Sequence, residues 1–236
     1  MIREGRGGDR MDPMRATLAL LLTVLAALPV AAAPFSVRLG LDKVVLDSPP
    51  GFTDTSDLAS PRLQDLAATL TSDSNRILLF SLSDADMRRF TQGEPLDARR
   101  YMIAVTPKGS ERDRLNPAQF AALVAESLRE LGAPTEVADL QKTLDARPVG
   151  QAVLLGELRR DANAVTILQA LRLPPLPSGA FTPLRQQYQA FATTLMLVRG
   201  KVLRLSVYTL LSTPADTEWV KTTSQRWIDD LQRLNR

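Results

Sequence analysis

The sequence predicts one α+β domain, a mostly antiparallel sheet of about six to seven strands packed by helices. Three observations carry that expectation. Tyr188–Val198 and Lys201–Leu211 are long strand-like runs separated only by Arg199-Gly200, and two strands joined by so short a turn must be antiparallel. From Gln151 onward the texture is that of a strand meander, whereas the first half and the extreme C-terminus show apolar residues at helical spacing. Finally, 44% hydrophobic and 23% charged residues in 236 are ordinary globular usage.

The elements follow in chain order. One or two short strands are expected around Val37-Arg38-Leu39 and Val44-Val45-Leu46, stopped by the turn Ser48-Pro49-Pro50-Gly51. A helix starts at Ser60 with Pro61 at its first position and Leu63, Leu66, Ala67 and Leu70 on one face. Arg76–Leu82 is apolar on both faces, as in a central strand covered on each side. Ser83 then caps a short helix whose first turn holds Asp84 and Asp86 and whose end holds Arg88 and Arg89, the order the helix dipole favours.

Tyr101–Thr106 is the next strand. Asn116-Pro117 opens a helix with Phe120, Leu123, Val124, Ser127, Leu128 and Leu131 on one face and Gly132 as its stop. A second helix is expected over Thr135–Asp145. Strands Ala152–Arg159 and Ala164–Arg172 flank the turn Asp161-Ala162-Asn163, and Leu173–Pro183, with four prolines, reads as irregular. Thr213-Pro214 begins the closing helix, with Val220, Thr223, Trp227, Leu231 and Leu234 inward and Trp219 and Ile228 flanking them. No internal repeat or domain boundary interrupts residues 33–236.

Composition excludes whole classes of chemistry. With no cysteine there is no disulfide framework, thiolate nucleophile or cysteine-held metal. With no histidine there is no Ser-His-Asp triad and no imidazole ligand. The net charge is +3, and the pairs Arg88-Arg89, Arg99-Arg100 and Arg159-Arg160 each have an acid within three residues. Mixed-charge solvated faces are therefore expected, and no nucleic-acid partner.

Arg3, Arg6, Arg10 and Arg15 precede an uncharged run from Ala16 to Ala33 that breaks at Pro29. A positive start, an apolar run, a helix breaker and small residues form the order of a secretory signal peptide, here residues 1–32, with Val30 and Ala32 before the cut. An uncleaved anchor is the alternative, against which Pro29 and the alanines speak; Met11 and Met14 are alternative starts. The expected product runs from Ala33, with 25 basic against 23 acidic residues, and is periplasmic or secreted with no transmembrane segment after cleavage.

The signal together with VVLDSPPGF, NRILLFSLSDAD and EWVKTTSQRWIDDL resembles that of exported proteobacterial envelope proteins of uncharacterised function. A strand leading to Pro-Pro-Gly-Phe, the hairpin around Arg199-Gly200-Lys201 and a C-terminal amphipathic helix are, more distantly, similar to the PsbP-like α/β/α sandwich. That resemblance implies a non-enzymatic partner-binding module.

No catalytic, cofactor-binding or metal-binding residue is assigned, and no cofactor. Asp73, Asp84 and Asp86 carry oxygen ligands but lack calcium-loop spacing. Asp42, Asp47, Asp54 and Asp57 surround the PPGF turn, where a carboxylate pair would serve a glycosidase and where aspartate also favours turns for local hydrogen bonding. Glu157 and Arg159, two apart on a strand, are expected to share a face as a surface ion pair. Lys43, Lys108, Lys142, Lys201 and Lys221 stand in no Ser-x-x-Lys arrangement, and Gly5-Arg6-Gly7-Gly8 precedes the signal's apolar run. Trp227 and Trp219 read as core, Trp219 also as a binding anchor, and LPPLP at Leu173–Pro177 as a stiff crossover or rim.

The expectation is thus an exported, non-enzymatic binding or assembly module whose partner is another envelope protein, touching it through residues 173–187 and the exposed side of the last helix. Two alternatives stand beside it. A carboxylate-dependent hydrolase requires paired acids in one concave pocket, and a small-molecule or lipid carrier requires a large apolar cavity beneath the sheet.

Overall fold

A computed structural model describes residues 33–135, 139–176 and 185–236. The expected signal peptide at 1–32 lies outside the described residues, as do residues 177–184 of the proline-rich segment. The domain is α+β, as the sequence predicts, and its centre is a seven-stranded, wholly antiparallel sheet.

A hairpin opens the fold: β1 (Phe35–Leu39) and β2 (Asp42–Leu46) pair with each other and stay apart from the main sheet. The sheet contains β3 (Phe52–Asp54), β4 (Asn75–Ser83), β5 (Arg100–Pro107), β6 (Val153–Arg160), β7 (Ala164–Leu176), β8 (Arg185–Val198) and β9 (Lys201–Leu210), in the order β3-β4-β5-β9-β8-β7-β6. The helices are α1 (Pro61–Thr69), α2 (Asp84–Thr91), α3 (Pro117–Leu131), α4 (Leu140–Asp145) and α5 (Pro214–Leu234). β6 to β9 form the expected meander. Insertion of β9 beside β5 joins it to the N-terminal strands.

Helices cover both faces. Alternation along the strands sends Leu203, Leu205 and Val207 of β9 and Met196 and Val198 of β8 to one face, where Trp227, Ile228 and Leu231 of α5 and Leu39, Val44 and Leu46 of the hairpin complete the main core. On the other face, Leu63 and Ala67 of α1 and Met87 of α2 pack on Phe80, Leu82, Tyr101 and Ile103. Further along that face, Phe120 and Val124 of α3 pack on Val165, with Leu195, Leu197 and Val202 at the margin. β4 is buried on both faces, in agreement with its unbroken apolar run.

Several local expectations are corrected. The helix expected over Thr135–Asp145 is α4, Leu140–Asp145, capped by Asp139; the Thr135 N–H instead donates to the Leu154 carbonyl at 2.9 Å, tying that residue to the sheet edge. Residues 173–176, read as irregular, prolong β7 through Pro174 and Pro175, with a register shift between Leu173 and Leu176 where the missing proline N–H groups interrupt the ladder. β8 likewise begins at Arg185. The hairpin turn has positive φ at both residues, 51° at Arg199 and 81° at Gly200, the backbone of a type I′ turn. On α5, Ile228 is core rather than flank, and Thr223 only half-buried beside the buried Ser224.

Candidate functional site

A cleft of about 390 Å³ opens between the C-terminal half of α3 and the sheet. It exists because α3 is only half seated. Asn116 and Gln119 close a capping box at its start, and Phe120 and Val124 bury the first two turns. Leu128 is half-buried, and Leu123 and Leu131 are exposed, so the single buried face that the spacing suggested is covered only at one end. Leu128 and Leu131 overhang the cleft.

The floor is aromatic and aliphatic. Register places Phe191 directly opposite Tyr208, and Tyr208 opposite Tyr101, on three adjacent strands. Their rings stack, with centroids 5.4 Å apart for Phe191–Tyr208 and 4.7 Å for Tyr101–Tyr208. Ile167 and Leu195 extend the apolar surface, and Gln169, Thr193, Ser206 and Arg204 supply polar groups. Gln189 donates from its amide to the Tyr101 hydroxyl at 2.9 Å, fixing one end of the stack. Burial pushes the Tyr101 phenol up to about 12 and raises Tyr208 as well, so both rings remain neutral donors at physiological pH. Such a site can hold an apolar body against Phe191, Tyr208 and the neighbouring aliphatic side chains and bond to its polar edge.

The residues singled out from sequence lie elsewhere and in separate roles. Asp84 accepts from the Thr53 hydroxyl at 2.8 Å. Asp86 is buried and accepts from the Ser83 hydroxyl and from the N–H groups of Asp97 and Ala98, so it ties down a loop. Asp73 offers its backbone carbonyl to Lys108. Asp42 pairs with Arg114 at 3.0 Å and with Lys201 at 3.4 Å. Asp47 lies beyond the far end of β2, roughly 16 Å along the strand from Asp42, outside the separation a glycosidase pair needs. Asp54 accepts from the Phe80 N–H and the Ser56 hydroxyl, and the Asp57 side chain lies outside the described residues.

Glu157 and Arg159 do not pair with each other. A register shift between them sets Glu157 opposite Ile167 and Arg159 opposite Thr166, which turns them to opposite faces. Glu157 pairs with Arg160, and Arg159 reaches α5 through Asp229 at 2.6 Å and Gln232 at 3.1 Å. Trp227 is fully buried and donates to the Asp47 carbonyl at 2.8 Å. Trp219 is half-buried, 5.9 Å from Phe52 and covered by the Arg100 guanidinium at 4.3 Å.

The exposed side of α5 bears Lys221–Glu218 and Arg233–Asp230 pairs three residues apart, a solvated surface. The cleft was missed in the sequence because its parts come from four elements. Only the strand aromatics Phe191 and Tyr208 carried any signal of it.

Fold and site together define a layered α/β/α domain with a ligand-sized, aromatic-floored cleft. No family model matches the chain, and no curated protein matches it. Among solved structures it is similar to the Saccharomyces cerevisiae Ran-binding protein Mog1p, at 15% identity and a TM-score of 0.38, over 86% of this chain and 95% of that one. A likeness of that strength bears on neither ligand nor partner.

Proposed function

We propose that the protein is an exported, non-enzymatic binding module that takes a small amphipathic molecule in the cleft beneath α3. The observation that carries this reading is the cleft itself. Its volume of about 390 Å³ falls in the range of small-molecule sites, roughly 300–1,000 Å³, and it joins an apolar floor to a few polar groups. Export rests on the signal-like residues 1–32.

Titration with anilinonaphthalene sulfonate and with dodecanoate tests the cleft. Saturable one-to-one binding is expected, and Thr193→Trp, which fills the floor, should abolish it while the thermal transition persists. Equal binding by that variant, or none by the wild type, would sink the reading. N-terminal sequencing of the exported protein should begin at Ala33, and an intact N-terminus argues for an anchor instead.

A second reading keeps another envelope protein as the partner. It is favoured by Leu123 and Leu131, exposed on one helix beside the cleft. Crosslinking from position 131 in an envelope fraction should then yield one stoichiometric adduct, and dodecanoate should compete with it.

A further inference from the structure

We propose that the end of the molecule bearing the β1–β2 turn docks on an anionic lipid bilayer, with Leu41 entering the interface and the surrounding basic side chains contacting lipid phosphates. Leu41 is 100% exposed at the tip of a two-residue turn between Leu39 and Asp42. A leucine so placed contributes nothing to the core. Yet the turn is held rigidly: Asp42 is gripped by Arg114 and Lys201, and the Lys201 ammonium, buried at 2% exposure, donates to the Glu111 and Asp113 carbonyls at 3.0 and 2.8 Å. Gly40 has φ 60°, and a Cβ there would meet the Glu111 carbonyl at 3.0 Å, so turn and loop fit closely.

Charge supplies the second observation. Arg38, Lys43, Lys108, Arg112 and Arg199 are all exposed at this end and have no carboxylate partner among the described residues; the unpaired acids beside them are Asp73 and Asp113. Arg199 and Arg76 also donate to the Lys43 and Arg38 carbonyls, which locks the hairpin's flanks to the sheet. Open recesses of about 620 and 510 Å³ lie beside the tip, and Arg112 lines both.

Basic side chains around a fixed, solvated apolar tip match a surface that is anionic outside and apolar beneath. A nucleic acid would use the charges and leave Leu41 without a role. The surface is separate from the cleft and stands whatever the cleft holds.

The test is co-sedimentation of the protein, purified as cells process it, with phosphatidylcholine vesicles with and without phosphatidylglycerol. Binding to the anionic vesicles alone is expected, weakened about tenfold by L41D and by R112E, and lost in high salt. Leu41 is fully solvated, so L41D should melt as the wild type does. Equal binding to both vesicles, no binding, or a loss with R112E but not L41D would overturn the proposal. The last result, together with equal binding of both wild type and L41D to a single-stranded oligonucleotide, would point to a polyanion instead.

Discussion

At the residue scale, two aspartates with opposite environments give opposite pH behaviour. Burial acts to raise Asp216, but the N–H groups of Thr213 and Ser212, the Thr213 hydroxyl and Arg100 outweigh it and hold the carboxyl below its usual range. That stability is present above the unfolded value near 4 and is lost as pH falls through the lower folded value. D216N should cost roughly 1–3 kcal/mol at pH 7 in urea unfolding, with the gap closing in acid. Asp47 is raised, first by burial and further by the charge of Asp230, against a hydrogen bond from Ser48, and its Oδ1 has no partner among the described residues. Its ionisation therefore opposes folding above its folded value and not below about 4. D47N should stabilise the protein at pH 7 and lose that advantage in acid. Lys201 is the third case: K201M would strand two carbonyls and leave Asp42 with Arg114 as its one remaining cation, and a loss of roughly 2–4 kcal/mol is expected. Only the carboxylate preference for turns was readable beforehand; a buried lysine at the mouth of a hairpin looks, in sequence, like any polar residue beside a glycine.

At the element scale, α3 separates what sequence can and cannot show. Its start is local, written in Asn116-Pro117 and closed by Gln119. Its buried face is not local, since the six residues at helical spacing were all expected to bury and only Phe120 and Val124 do so fully. F120A should cost about 3–5 kcal/mol, while L131A should change stability by less than about 0.5 kcal/mol. Matched unfolding curves for the two variants measure how far the sheet supports the helix. Strand boundaries failed for a related reason. Pro174 and Pro175 argued for a loop, but β7 continues past Leu173 with a register shift, and the shift at Leu158 divided Glu157 from Arg159. Irregularities that depend on a neighbouring strand leave little trace in the strand that bears them.

At the scale of the whole molecule, the α+β class and the antiparallel meander were legible because neighbouring segments make them. The pairing of β5 with β9 was not, for it joins residues about a hundred apart in the chain. The same separation predicts slow, non-local folding, and places β8 and β9 inside the sheet while β3 and β6 form its edges. Hydrogen exchange should be slowest at amides such as Leu203 and Leu205 and markedly faster along β3 and β6. The charge distribution follows the same rule. Cations dispersed among acids along the chain gather at one end once the turns β1–β2 and β8–β9 and the loop after β5 meet there.

The two faces of the sheet also divide the intrinsic chromophores. Both tryptophans belong to α5, whereas Tyr208 lines the cleft on the opposite side and Tyr101, the second of the three tyrosines, stacks behind it. The protein therefore carries an optical label for each layer. A ligand settling on the stack would perturb tyrosine absorption and leave tryptophan emission nearly unchanged, while loosening of the hairpin and α5 would do the reverse, so unmodified protein can report which side of the sheet has responded.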